Sequence, residues 1–354
     1  MQECPEILGI SLILLVSAIV LSSGLTFSLI KLSRLKKIYD YPNGRKIHRR
    51  PTPFLGGAAI FAAFWIIFSL IGVYCREAMF GGEQFFLAFL LTSTLIFITG
   101  LIDDFFDLRF YIKLLAQIAA ALILIAFDFH IINLYVPFWR SFELGWAAYP
   151  VTILWVVLLT NGINLIDGMD GLASLVGITI CIGLLIISSF LDILLIFVIA
   201  VILAGCLIGF LIYNKPPAKI YLGDSGALFM GFVFAVAAIV CPIKSFTAVS
   251  MFVPLVAVGL PLLEIVTTVV RRIWSGKKIY QPDTRHIFHY LMNFGYSEKS
   301  ILLILGTISL AFNAFIPALF IFDRRQVFSI FVLFLISLFI LFFILKLVKG
   351  AERT

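Results

Sequence analysis

The sequence predicts an all-α polytopic integral membrane protein. It should have about eleven transmembrane helices, an outside N-terminus, a cytoplasmic C-terminus and a polar site at the cytoplasmic face. Composition is the first of three supporting observations. Of 354 residues, 62% are hydrophobic and 13% charged, whereas soluble domains are nearer 25% charged and about half apolar. A soluble core cannot absorb so much apolar surface, so the bilayer must act as solvent. The second observation is the recurrence of apolar runs of about 18 residues or more, the helical length that crosses a hydrocarbon core about 30 Å thick. The third is charge asymmetry. With the N-terminus outside, only Arg76, Arg140, Lys244, Arg324 and Arg325 of the 26 Lys and Arg fall on the outer side, as the positive-inside rule requires. The whole chain, 1–354, reads as a single transmembrane domain.

In chain order the spans run over about 7–30, 54–75, 85–102, 111–127, 149–163, 172–190, 192–213, 226–241, 246–270, 299–321 and 327–346. The start, "MQECPEILGI", lacks the basic region of a cleaved signal peptide. Its acidic character suits an uncleaved first helix. Segment 128–149 is an outer loop in which Trp139, Trp146 and Tyr149 form an interfacial belt. No internal repeat or low-complexity linker interrupts the series.

The net charge of +7 reflects membrane sidedness and contact with anionic lipid, not nucleic-acid binding, since no basic soluble module exists to carry that. The five cysteines, at 4, 75, 181, 206 and 241, form no CxxC or zinc spacing. Cys181 and Cys206 fall in apolar runs and read as small hydrophobes.

In this topology every polar cluster lies at the cytoplasmic side: "GRKIHRRPTPFLGG" (44–57), "DDFFDLRFYIK" (103–113), "TNGINLIDGMDGLA" (160–173), "NKPPAKIYLGDSGAL" (214–228) and "YQPDTRHIFHYLMNFG" (280–295). Such a one-sided ring predicts an active site serving one soluble and one membrane-bound substrate. On a continued helix Asp107 would share a face with Asp103 at i,i+4 and with Asp104 at i,i+3. Like charges that close need water, a cation or a basic partner; a solvated helix end is the plain alternative. Asp167 and Asp170, with Asn161 and Asn164, form a second cluster punctuated by Gly162, Gly168 and Gly171. Asp224 precedes a span, where an Asp is a good helix N-cap.

Taken together, oxygen donors from separate loops with no cysteine among them suit a hard cation such as Mg²⁺, which takes one or two carboxylates and leaves room for phosphate. Lys46, Lys113, Arg285, His286 and His289 are placed to neutralise phosphate oxygens. This is the equipment of phosphoryl transfer, where the work is positioning and charge neutralisation. His286 and His289, with Asp283, leave zinc or a solvated loop open as alternatives. Glu264, near Pro261 in the ninth span, is a candidate because carboxylates inside membranes are costly.

These motifs, in this order, resemble the polyprenyl-phosphate N-acetylhexosamine-1-phosphate transferases of the MraY and WecA type. "RKIHRRPTPFLGG" is similar to that family's first loop, and "DDFFDLRFYIK" to its Asp-Asp motif with a lysine nine residues after the second Asp. "NGINLIDGMDGLA" is similar to NxxNxxDGxDGL, "GDSGAL" to GDxGS and "PDTRHIFH" to the PDxxHIHH loop of the WecA branch. The resemblance spans about residues 40–300, and eleven spans fit that branch better than the ten-span muramoyl-pentapeptide branch. Two departures stand out: Phe288 replaces a middle His, and Glu264 stands where Asp is common.

The resemblance implies transfer of N-acetylhexosamine-1-phosphate, N-acetylglucosamine-1-phosphate by preference, from a UDP-sugar to undecaprenyl phosphate. Polyprenyl-diphospho-sugar and UMP would result, as the first membrane step of a cell-envelope glycan such as lipopolysaccharide or teichoic acid. It implies Mg²⁺, replaceable by Mn²⁺, held by Asp224 and Asn164. Asp103, Asp104 and Asp224 would be catalytic, with Asp103 and Lys46 at the lipid phosphate. Asp170 would contact uracil and Asp167 would order its loop. Lys113, Arg285, His286 and His289 would hold diphosphate or sugar. The setting implied is the cytoplasmic membrane. Dimers are common in the family, although the sequence carries no interface signal. Muramoyl-pentapeptide specificity is the neighbouring alternative.

Rival classes fit poorly. An intramembrane aspartyl protease would need GxGD, but Tyr221 stands where its first Gly belongs. A CDP-alcohol phosphotransferase would need an Arg that "DGMDGLA" lacks. A transporter would put ionisable groups near the midplane, and a scaffold would leave all five clusters unexplained.

Overall fold

The computed structural model describes residues 7–40, 51–74, 83–135, 141–244, 255–274, 276 and 286–351. Within them the chain is almost wholly helical. The helices are α1 (Ile7–Lys36), α2 (Gly56–Tyr74), α3 (Glu83–Phe106), α4 (Phe110–Ala126), α5 (Ala148–Ile166), α6 (Leu172–Leu191), α7 (Leu194–Asn214), α8 (Gly223–Lys244), α9 (Gly259–Trp274), α10 (Ile287–Asn293), α11 (Glu298–Ile321) and α12 (Arg324–Ala351). Between α4 and α5 a short antiparallel hairpin pairs β1 (Asn133–Tyr135) with β2 (Ser141–Glu143). Trp146 is exposed beside it, while Trp139 lies outside the described residues.

Among the described residues, eight helices are long and apolar enough to cross a membrane: α1, α2, α3, α5, α6, α7, α8 and α11. Helices α4 and α12 contain shorter apolar stretches. The chain is thus a multi-pass, all-α membrane protein. The ninth expected span differs. Residues 246–254 of it lie outside the described residues, and α9 carries Glu264, Arg271 and Arg272. At 16 residues α9 is also too short for the long apolar set, although a helix stands where the sequence predicts one.

Buried side chains form one continuous cluster reaching from Leu14 to Leu338. Helix α8 lies at its centre, packed against α2, α3 and α5 and buried nearly throughout. Its residues allow this: small and apolar side chains run from Ala227 to Cys241 with no charge among them. Aromatic rings of α2 and α3 interlock, with Trp65 and Phe89 centroids 5.2 Å apart and Phe64 and Phe89 6.0 Å apart. Cys181, Cys206 and Cys241 are buried free thiols, as their apolar neighbours suggest; Cys4 and Cys75 lie outside the described residues.

Glycine sets the separation near the start of α8. A Cβ on Gly100 of α3 would stand 2.6 Å from Ser225 Cα, and one on Gly57 of α2 would overlap the backbone of Gly226. The three helices therefore meet backbone to backbone. The approach to α2 is tied to the approach to α8 by three main-chain bonds. Tyr221 N donates to Pro53 O at 2.8 Å, Gly56 N to Tyr221 O at 3.0 Å and Gly57 N to Leu222 O at 2.8 Å.

Candidate active site

The C-terminal ends of α3 and α5 meet the N-terminal ends of α4 and α8, and their polar side chains converge there. Lys113 on α4 donates from Nζ to Asp103 Oδ2 at 2.7 Å and to Asp224 Oδ2 at 2.9 Å. Asn164 on α5 donates from Nδ2 to Asp224 Oδ1 at 3.0 Å. Four helices therefore contribute to one node. Its Asp103 side chain is 6% exposed and its Asp224 side chain 31% exposed, so Asp224 presents the accessible carboxylate.

The two adjacent aspartates of α3 have different surroundings. Asp103 also accepts the Leu108 amide at Oδ1, 2.6 Å away. Asp104 turns toward α8 and accepts the amides of Asp224 at 2.6 Å and Ser225 at 3.1 Å. That placement overturns two expectations. Asp224 is not the N-cap of α8: the helix already begins at Gly223, and Asp104 takes the orphan amides instead. Asp107 does not extend the α3 face. The helix ends at Phe106, and Asp107 adopts φ +50°, exposed to solvent.

The loop from 167 to 171 borders this node. Asp170 Oδ2 accepts the Ala218 amide at 2.8 Å. Asn214, buried at the end of α7, accepts from Gly171 N at 3.1 Å and Ser174 Oγ at 3.2 Å, and donates to Ile220 O at 2.9 Å. Gly171 has φ +76°, a conformation open to glycine without steric cost. No hydrogen bond reaches the Asp167 carboxyl among the described residues. Burial, followed by the charges of Asp224, Asp104 and Asp170, holds that carboxyl well above the usual carboxylate range. A cation brought close to these carboxylates would relieve that repulsion.

Helix α10 closes another side. Glu264 Oε1 lies 2.8 Å from His286 Nδ1, and the ring of Phe288 packs on Gly168, where a Cβ would come 2.9 Å from Phe288 Cε1. Through that contact α10, bearing His286 and His289, sits on the loop of Asp167 and Asp170. Lys46 and Arg285 lie outside the described residues. Asp103, Asp104, Lys113, Asn164 and Asp224 are therefore in direct contact, Asp167 and Asp170 border them, and His286 and His289 join through Phe288.

Sequence reading passed over two buried participants and one pairing. Gln117 accepts from Asn161 Nδ2 at 2.8 Å, one helical turn from Lys113; its signal is a lone amide four residues after a lysine in an apolar helix. Asn214 is signalled only by its place before "KPP". The partner of Glu264 had no local signal, being 22 residues away.

The donor set is oxygen and amide, which suits a hard cation. Among the described residues, no three His, Cys, Asp or Glu side chains gather closely enough to hold a metal by themselves. Asp224 and Asn164 could supply two ligands, with phosphate and water completing the shell in the way Mg²⁺ favours.

Comparison with known proteins gives a consistent result. Residues 86–242 match glycosyl transferase family 4. The chain is 34% identical over 304 residues to a probable undecaprenyl-phosphate N-acetylglucosaminyl 1-phosphate transferase of Bacillus subtilis, covering 85% of this chain and 82% of that one. It is 31% identical to an undecaprenyl-phosphate alpha-N-acetylglucosaminyl 1-phosphate transferase of Thermotoga maritima, over 83% of this chain and 86% of the other. A phospho-N-acetylmuramoyl-pentapeptide-transferase of Carboxydothermus hydrogenoformans is 30% identical, over 75% and 84%.

Proposed function

The chain belongs to glycosyl transferase family 4, and from that premise we propose that it transfers N-acetylglucosamine-1-phosphate from UDP-N-acetylglucosamine to undecaprenyl phosphate. An oxygen of the lipid phosphate forms a bond to the sugar-bearing phosphorus of the donor. The diphosphate P–O bond breaks, and UMP leaves with that electron pair. The Lys113–Asp103–Asp224 node carries this reading, because it combines a cation with an accessible carboxylate where helix ends meet.

The roles follow from the chemistry of each group. Lys113 neutralises phosphate charge as it develops. Asp103 holds the Lys113 ammonium and orders the Asp103–Leu108 turn beside the lipid phosphate. Asp104 keeps the start of α8 in place, so that the Asp224 carboxylate is presented outward. A phosphate monoester has a second pKa of about 6, so near neutral pH the attacking group needs little deprotonation, and positioning outweighs general-base work. Asp224 and Asn164 would hold Mg²⁺, with Mn²⁺ as a substitute. Bound there, it supplies charge neutralisation for the diphosphate. Asp170 and Asp167 face the uridine end, while Lys46, Arg285, His286 and His289 serve the phosphates and sugar. The site faces the cytoplasm from the cytoplasmic membrane, as the charge asymmetry of the loops favours.

N-acetylglucosamine is preferred because the Bacillus subtilis and Thermotoga maritima relatives, named for N-acetylglucosaminyl transfer, are 34% and 31% identical over 85% and 83% of this chain, against 30% over 75% for the pentapeptide-transferring one. Rates of UMP release in detergent from UDP-N-acetylglucosamine, UDP-N-acetylgalactosamine and UDP-muramoyl-pentapeptide, each with undecaprenyl phosphate and Mg²⁺, test the assignment. Faster release from either of the other donors would replace it.

A further inference from the structure

We propose that Glu264 is a positioning residue for this transfer: it fixes the His286 ring so that Nε2 is presented to the donor diphosphate. The inference rests on the transferase reading above and on the place of His286 in it.

Glu264 is 3% exposed in the interior of α9, and every polar contact it makes is local to α9 or to the start of α10. Its Oε1 lies 2.8 Å from His286 Nδ1 and accepts from Thr268 Oγ1 at 3.3 Å. Its Oε2 accepts the Ile287 amide at 3.3 Å. Thr268 is in turn held by Arg271, whose Nη2 donates to Thr268 Oγ1 at 3.2 Å. An ionised carboxylate can only accept, so Nδ1 of His286 carries the hydrogen. Nε2 is then the nitrogen left to meet a ligand.

The ring has little freedom to turn. It stacks on Phe288 at 5.7 Å and 11°, and Phe288 is itself buried against Gly168. Phe288 thus does what another imidazole at that position could do only with an added polar partner: it packs dry between two loops. The result is a chain of contacts from α9 through His286 and Phe288 to the loop of Asp167 and Asp170. A buried carboxylate carries a desolvation cost that a neutral residue would avoid. Its worth here is electrostatic. With Nδ1–H held by Glu264, a hydrogen on Nε2 makes the ring a cation between two anions, which an amide at 264 would support less well. Acting through a histidine in this way resembles the outer partners that orient ligating histidines in metal sites.

The test is a double-mutant cycle on the full-length detergent-solubilised protein, reading kcat and KM for UDP-N-acetylglucosamine. Glu264→Gln should lower kcat/KM by about tenfold or more with most of the loss in kcat, since the interaction lost acts in the transition state. In the His286→Ala background the same change should cost less than about twofold, because the residue through which it acts is gone. A thermal midpoint on each variant checks folding. If Glu264→Gln does not fold, Glu264→Asp takes its place in the cycle; it keeps the charge, withdraws it by one methylene, and should show the same non-additivity. A Glu264 variant with near wild-type kcat/KM, or one whose loss is equal in both backgrounds, overturns the inference. Wild-type protein that releases no UMP from any UDP-sugar removes the transferase reading and this inference together, whereas wild-type turnover with an additive cycle removes this inference alone.

Discussion

Asp104 Oδ1 accepts the backbone amide of Asp224 at 2.6 Å, so a carboxylate from the end of α3 closes the N-terminus of α8. The contact joins two aspartates of opposite duty. One has both oxygens bound to main-chain amides and holds the helix; the other is carried by that helix, partly exposed, with its oxygens on Lys113 and Asn164.

Asp104→Ala should therefore lower stability by about 0.5–2 kcal/mol, the cost of losing a helix cap. It should also lower turnover, since Asp224 loses its anchor. Asp104→Asn, whose amide oxygen still accepts one of the two bonds, should recover part of the stability. Thermal midpoints of the three proteins in one detergent decide this, and equal midpoints would remove the capping role.

Gly100→Ala brings a methyl to 2.6 Å from Ser225 Cα, where both partners are backbone and neither can turn aside. Overpacking of that kind costs about 1–3 kcal/mol or more, and here it pushes α3 from α8 at the site itself. The expected result is a lower yield of folded protein and little UMP release from what folds. Wild-type yield with wild-type turnover would show that the helices separate freely.

Asp167 gives a pH dependence. Its folded pKa is raised well above the ordinary carboxylate range by burial and then by the charges of Asp224, Asp104 and Asp170. The folded state therefore holds its proton more tightly than the unfolded state does. The stability this gives is fully present below about pH 4 and is lost as pH rises toward the folded value. In divalent-free buffer, wild-type protein should lose thermal midpoint relative to Asp167→Asn as pH rises above the ordinary carboxylate range, and Mg²⁺ should narrow the gap. Parallel midpoints across that range would show that the carboxyl meets a cation already present in the chain.

The helical architecture was readable because bilayer-length apolar runs have few alternative structures. Elements α1 to α8, α11 and α12 stand where the hydropathy of the chain puts them, with ends shifted by a few residues. Those shifts matter chemically. Starting α8 at Gly223, not near residue 226, moves Asp224 inside the first turn and hands the cap to Asp104. Helical spacing also grouped Asp107 with Asp103 and Asp104, but the φ of +50° at Asp107 breaks the helix there.

Motif order pointed to the residues that meet around Lys113, since each sits at a helix end on one side of the bundle. Local spacing carried no information on what each touches. Gln117 beneath Lys113, Asn214 behind Gly171 and the pairing of Glu264 with His286 are tertiary contacts between elements far apart in sequence.

The central claim is that the accessible Asp224 carboxylate serves diphosphate transfer. The most direct measurement is UMP release from UDP-N-acetylglucosamine with undecaprenyl phosphate and Mg²⁺, by wild-type protein and by Asp224→Asn. Wild type should release UMP only when both substrates are present. Asp224→Asn should fold with a similar thermal midpoint yet lose about 10²-fold or more in kcat, the scale of removing a group that stabilises transition-state charge. Near-normal UMP release by Asp224→Asn, or none from wild type with any UDP-sugar, would contradict the account.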